Sequence, residues 1–130
     1  MRTLLSITIL MTAGLAGAAI AAEPSFTFRD ATYMPADRGV EAARTFVAMA
    51  VPPGLPLQEV RRRLARADMT CGPIMGSSSP FVCDYSDVVH IQGGTIGEEH
   101  WKVILIPDGT GALQSATLSH FTVGVGDPNP

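Results

Sequence analysis

Apolar side chains recur with helical spacing in two neighbouring stretches of the chain, and prolines separate the stretches. The apolar positions of the first stretch are Val40, Ala43, Val47 and Ala50. Asp37 can cap its start, and Pro52 and Pro53 forbid its continuation. The apolar stripe of the second stretch is Leu57, Val60, Leu64 and Ala67. Because Pro56 suits a first helical position, the pattern predicts two amphipathic helices.

Four arginines fall on or near the polar side of the second predicted helix: Arg61, Arg62, Arg63 and Arg66. One interpretation is a patch that binds anions or anionic lipid. The other is a solvated face, on which Glu59 and Arg63 form a favourable pair four residues apart. An acidic chain without aromatics among the arginines favours the second interpretation.

From residue 81 onward the apolar period changes to two, which is typical of strands. The alternating residues are Phe81, Cys83 and Tyr85 against Val82 and Asp84. A short strand is expected at residues 88–91 and a hairpin at residues 100–123. Turn residues concentrate at 107–111, which predicts a two-residue loop of Gly109 and Thr110. Residues 25–30 read as a short extended segment.

The predicted loop fixes a register, because it pairs Asp108 with Gly111. The side chains then opposite one another on one face are Val103 with Ala116 and Trp101 with Leu118. We expect the helices to cover that face. The other face carries His100, Lys102, Ile104, Ile106, Leu113, Ser115, Thr117, Ser119, Phe121 and Val123.

That second face holds more large apolar side chains than a solvated face usually carries. They are Ile104, Ile106, Leu113 and Phe121. We predict that they form the contact core for a protein partner, with His100 and Lys102 on its rim. The alternative is that a terminal segment or a strand at residues 26–28 covers this face.

The first 22 residues have the order of a secretory signal: Arg2, an apolar run from Leu4, and an A-x-A site at residues 19–21. We expect cleavage there, although an uncleaved membrane anchor is the competing interpretation. No cysteine lies near the site, so no lipid anchor is expected. The mature chain is then periplasmic or secreted, and membrane contact is not expected after cleavage.

After cleavage of the signal segment, the remaining residues are enough for one domain and no more. We expect an extended segment at 23–36, a single domain at 37–123 and a flexible tail at 124–130. Without Arg2 the chain has eight basic and twelve acidic residues. This negative balance does not favour a nucleic-acid partner.

Cys71 and Cys83 are the two cysteines, and in an exported protein of this size they predict one disulfide. Zinc needs about four ligands, and redox work favours cysteines two residues apart, so neither role is favoured. The disulfide is expected to tie the end of the second helix to the strand and to enclose a loop at residues 72–80.

The sequence contains few candidate catalytic residues. The predicted register places Glu99 opposite His120, and this pair could act as an acid/base couple. The three histidines, His90, His100 and His120, do not converge in it, so no metal is expected. The serines of GSSSP lack a nucleophile elbow, and GEEHW lacks the second histidine of a zinc motif. We predict neither a cofactor nor an enzyme.

The phrases GLPLQEVRRRL, FVCDYS and VILIPDGTGAL, in that order, resemble small domains of bacterial envelopes, namely the BamE/SmpA type and the beta-lactamase-inhibitor-protein type. The resemblance implies an α+β fold with two helices on one face of a three- or four-stranded antiparallel sheet. BamE-type proteins carry a lipid anchor at the signal cleavage site, where this chain has no cysteine.

The expected function is therefore a non-catalytic binding or accessory domain of the cell envelope, whose partner is an unidentified envelope or secreted protein. One alternative is an inhibitor of a secreted hydrolase that acts through the loop at 72–80. Another is an enzyme that uses Glu99 and His120.

Overall fold

The computed structural model describes residues 25–90 and 96–125 as three helices and four strands. In chain order they are α1 (Phe28–Thr32), α2 (Ala36–Ala50), α3 (Leu57–Arg66), β1 (Thr70–Cys71), β2 (Phe81–His90), β3 (Ile96–Pro107) and β4 (Leu113–Val125). The strands form one antiparallel sheet in the order β1-β2-β3-β4. The predicted α+β class is confirmed, with four strands.

The two predicted helices form where the apolar stripes indicated. Helix α2 begins at Ala36 with Pro35 at the N-cap position, two residues before the predicted cap, so Asp37 lies in its first turn and is not its cap. Helix α3 begins after Pro56. The helical residues that are buried against the sheet are Ala43, Val47, Leu57, Val60 and Leu64. Their burial supplies most of the drive to hold the helices on the sheet.

The predicted extended segment at 23–36 is wrong for residues 28–32, which form helix α1. Thr27 caps this helix, because its hydroxyl oxygen accepts a hydrogen bond from the Asp30 N–H at 3.1 Å. Phe28 is fully buried, and its N–H donates to the Ala67 carbonyl at 3.0 Å. Phe26 and Phe28 alternate as in a strand, which favoured an extended segment. The Thr27 cap and the burial of Phe28 stabilise a helix instead.

The centre of the core lies on β3. Trp101, Val103 and Leu105 have no exposed surface, and they alternate along the strand as one face of a sheet requires. The Trp101 indole N–H donates to Thr32 Oγ1 at 2.9 Å, and the Thr32 hydroxyl donates to the Phe28 carbonyl at 2.9 Å. Helix α1 thus satisfies the single polar group of the buried tryptophan.

The predicted disulfide is confirmed. Cys71 and Cys83 are bonded and are directly opposite partners in the β1–β2 ladder. The bond attaches the segment after α3 to β2, which is the connection expected from the sequence. It also closes the loop at residues 72–80.

The β3–β4 hairpin forms, but its predicted register is wrong by two residues. Val103 lies opposite Leu118, and Trp101 opposite His120. The connection runs over residues 108–112, where Gly109 and Gly111 adopt φ values of 93° and 97°. Asp108 Oδ1 accepts from the backbone N–H and the hydroxyl of Thr110, at 2.7 Å each, which stabilises this longer turn.

A shift of two residues preserves the side-chain faces of β4, but a register irregularity between Ile106 and Pro107 changes the face of one residue. Leu113 was predicted on the partner-binding face. It pairs with Pro107 instead and is 1% exposed in the core. The extra residue at the irregularity turns its side chain inward.

Strand β2 is longer than predicted. The stretch expected as a separate strand at 88–91 continues the strand that begins at Phe81, and its last residue lies outside the described residues. Residues 124 and 125 of the predicted tail belong to β4, whereas the rest of the tail and the predicted signal segment at 1–22 lie outside the described residues. Within 25–90 and 96–125, no helix has the length and apolar character to span a membrane.

Candidate interaction surface

The outer face of the sheet, the side away from the helices, carries a cluster of exposed apolar side chains. They are Val82, Val88, Ile96, Ile104, Phe121 and Val123, and each is between 36% and 58% exposed. The ladder pairings place all six on the same side. No described helix or strand lies over them, since the buried helical residues all join the core on the opposite side.

One row of side chains on this outer face, near the β3–β4 connection, joins three strands. Val82 on β2 lies directly opposite Ile104 on β3, and Ile104 lies opposite Thr117 on β4. Directly opposite side chains in an antiparallel pair approach closely enough to form one continuous surface. The result is one row of two large apolar side chains and a threonine across β2, β3 and β4.

The two rows next to the Ile104 row carry polar and charged groups. Lys102 lies opposite Asp84 on β2, and its Nζ is 5.7 Å from the centre of the Phe121 ring. The His100 ring stacks on Phe121 with a centroid distance of 4.9 Å. His100 Nε2 also lies 2.7 Å from Glu98 Oε1. The Phe121 ring therefore contacts the His100 ring and lies near the Lys102 ammonium group.

Five of the six predicted contact residues share the outer face: His100, Lys102, Ile104, Ile106 and Phe121. The sequence interpretation missed Val82 and Val88 on β2, and Ile96 on β3. A signal for Val82 and Val88 was present, because Cys83 belongs to the core side of β2 and even-numbered neighbours on a regular strand face the other way.

A polar cluster occupies the core side of the sheet at the end that the helices leave uncovered. It consists of Tyr33, Tyr85, Asp87, Glu99 and His120. His120 Nε2 lies 2.6 Å from Glu99 Oε1, although Glu99 is paired with Thr122 in the ladder, so the contact is diagonal. The His120 ring stacks on Trp101 at 4.0 Å between centroids. The Glu99–His120 pair therefore exists, in a different register from the one predicted.

The tyrosines of this cluster converge on one carboxylate. The hydroxyls of Tyr33 and Tyr85 both donate to Asp87 Oδ2 at 3.0 Å. The hydrogen bond from Tyr33, followed by that from Tyr85, lowers the pKa of Asp87. Burial, with the Asp87 hydrogen bond second, raises the pKa of Tyr85 to about 12. The arrangement links α1 to β2, and no serine, cysteine or lysine takes part in these contacts.

Two features of the helical side also bear on function. Arg62 and Arg63 both pair with Glu59, and Arg63 donates to the Ala50 carbonyl at 2.8 Å, so half of the arginine group is bound within the chain. A groove of about 680 Å³ runs beside α2, with Phe26, Phe46, Met34 and Met49 among its lining residues.

In the loop at residues 72–80, one apolar side chain packs against the core and the next is exposed to solvent. Ile74 packs against the core, and the neighbouring Met75 is 75% exposed. The Gly72 N–H donates to the Val82 carbonyl at 2.9 Å, which extends the β1–β2 contact beyond the disulfide. Met75 is thus presented on a loop whose base is fixed.

Comparison with protein-family models, curated proteins and solved structures gives no match to this chain. Among the described residues, no group of three or more histidine, cysteine, aspartate or glutamate side chains is arranged to hold a metal ion. The resemblance to BamE-type and inhibitor-type domains stays a prediction.

Proposed function

We propose that this chain is an exported, non-catalytic binding domain that recognises a protein of the cell envelope, or a secreted protein, through the outer face of its sheet. One observation carries the proposal: six exposed large apolar side chains lie on the face opposite the helices, with Val82 and Ile104 in one row and the other four towards the other end of the sheet. Exposed large apolar side chains concentrated on one face are a feature of interaction sites.

The composition of the face agrees with a protein partner. Stable interfaces have an apolar, aromatic-rich centre and a polar rim. Here Val82, Ile104 and Phe121 supply large apolar side chains, and the row between Ile104 and Phe121 carries the opposite charges of Lys102 and Asp84. A matching partner presents apolar groups on both sides of a polar row, and it needs no cofactor.

Export is supported by two features. The disulfide between Cys71 and Cys83 favours an oxidising compartment such as the periplasm or the extracellular space. The basic start, apolar run and small-residue site within residues 1–22 have the order of a secretory signal. Both features favour a partner in the envelope or outside the cell.

Affinity purification with single variants tests the proposal. Ile104→Asp places a charge beside Val82 on the outer face, whereas Met49→Asp places the same charge in the α2 groove as a matched control. We expect a discrete protein to co-purify with the original chain and with Met49→Asp, but not with Ile104→Asp. Loss of the partner in Met49→Asp alone would assign binding to the helical side and overturn the proposal.

A second candidate is favoured by the exposure of Met75 on the anchored loop: inhibition of a secreted hydrolase through residues 72–80. Inhibitory loops work best when their conformation is fixed before binding. Deletion of Ser77, Ser78 and Ser79, or reduction of the disulfide, should then abolish partner capture while Ile104→Asp retains it. The two candidates thus give opposite patterns.

A further inference from the structure

Strand β4 forms one edge of the sheet, and most of that edge has no backbone partner among the described residues. In the part of the chain that the structure describes, only Leu113, the first residue of β4, has a backbone partner along this edge. The Leu113 N–H donates to the Leu55 carbonyl, and its carbonyl accepts from the Gly54 N–H, both at 2.8 Å. From residue 114 onward the strand presents a long row of backbone donors and acceptors.

The opposite edge of the sheet is protected. Strand β1 is only two residues long, and the part of β2 that extends past it begins at Tyr85 and contains Asp87. Asp87 Oδ1 also accepts the Val88 N–H at 2.9 Å. Short strands and charged residues are the usual means by which edges avoid pairing with other chains.

None of these protective features occurs along β4. Its sequence, LQSATLSHFTVGV, contains no lysine, arginine, aspartate, glutamate or proline over 13 residues. Its only irregularity lies at the start, where the register shifts near Pro107. A long, uncharged and regular edge is a template for adding another strand.

We propose that β4 pairs in antiparallel fashion with the β4 strand of a second copy of this chain, which joins the two sheets into one of eight strands. A strand without formal charge places no like charges opposite each other in any antiparallel register with itself. It also offers no charge with which to select a foreign strand. Antiparallel pairing of identical strands gives a twofold dimer, the commonest oligomeric symmetry.

The dimer goes beyond the proposed partner binding and extends the same surface. Thr117, Phe121 and Val123 are exposed on the outer side of β4, next to the joined edge. Pairing brings them beside their equivalents in the second copy, so the two outer faces become one continuous face. The mature protein then offers its partner a surface twice as wide.

Sedimentation equilibrium of the purified chain with its disulfide intact tests the dimer. The disrupting variant is Thr117→Lys with Ser119→Lys, two added charges on the outer side of β4. The control is Val82→Lys with Ser86→Lys, the same charge on the outer side of β2. We expect a dimer for the original chain and the control, and at least about a tenfold rise in the dissociation constant for the disrupting variant, because several like charges then meet across the pair.

Hydrogen exchange of the original chain gives an independent readout that needs no variant. Amides on the free side of β4 should gain protection as protein concentration rises, while amides of the β1 edge should not change. A monomer at every concentration, or equal weakening by the two lysine pairs, overturns the proposal. Ile104→Asp should leave the dimer intact, so failure of partner binding and failure of dimerisation are separate outcomes.

Discussion

Strand β3 presents two rows of side chains to two different environments. Leu105 faces the helices and has no exposed surface, whereas its neighbour Ile104 faces away and is 37% exposed. Both are branched aliphatic residues of the same volume, and both belong to regular alternation. Apolar residues on this strand therefore have two roles. The row that faces the helices stabilises the fold, and the row that faces away remains available for binding.

The same contrast holds for aromatic residues. Trp101 on the core side is buried, and its indole N–H is satisfied by Thr32. Phe121 on the outer side keeps 40% of its surface exposed, while His100 stacks on it. An aromatic ring that is positioned but not covered suits an anchor for a partner better than it suits a fold.

The largest effect that separates the two faces is expected from truncation of β3 residues. Leu105→Ala should lower the free energy of unfolding by about 3 kcal/mol, because it removes a buried side chain and leaves a cavity. Ile104→Ala should lower it by less than about 1 kcal/mol, because that side chain already contacts solvent. Urea denaturation measures both. Equal losses would mean that the outer face is covered in solution.

A smaller effect concerns pH, through Asp87 on the core side. Hydrogen bonds from Tyr33 and Tyr85 lower its pKa in the fold. A carboxyl group with a lowered folded-state pKa stabilises the protein above its unfolded pKa of about 3.9, and this stabilisation is lost as the pH falls through the folded value. We therefore expect Asp87→Asn to lower stability at neutral pH and to flatten the decline below about pH 4.

The matched control for this pH effect is Asp84→Asn, since Asp84 belongs to the same strand but to its outer side. Thermal unfolding followed across acidic pH measures the three proteins. The control should retain the acid-induced decline of the original chain. If Asp87→Asn retains it as well, the two tyrosine hydrogen bonds do not contribute to stability in solution.

Much of this fold could be predicted, because its main signals are local. The apolar stripes of α2 and α3 fix which helical side is buried, and the alternation of β3 fixes which row faces them. The disulfide followed from two cysteines in a chain with a signal-like start. The faces of β4 beyond its first residues were also right, since an error of two residues in register leaves side-chain parity unchanged.

The errors arose where side-chain hydrogen bonds or a single inserted residue decide the structure. The Asp108 carboxylate stabilises a five-residue connection where the dipeptide pattern indicated two, and this moved Leu113 into the core. Helix α1 is only five residues long, and it depends on the Thr27 cap and on burial of Phe28 against distant elements. The burial of Phe28 is not visible in a window of local sequence, and a threonine cap alone does not distinguish a helix of five residues from an extended segment.

The most direct measurement of the central claim is site-specific photo-crosslinking in the native host, with a crosslinkable residue at Ile104 and a control at Glu41 on α2. Ile104 is exposed on the outer face, whereas Glu41 is exposed on the helical side. We predict a discrete adduct with one protein from position 104 and none from position 41. An adduct from position 41 alone, or none from 104 in a folded and exported chain, would contradict the assignment of binding to the outer face.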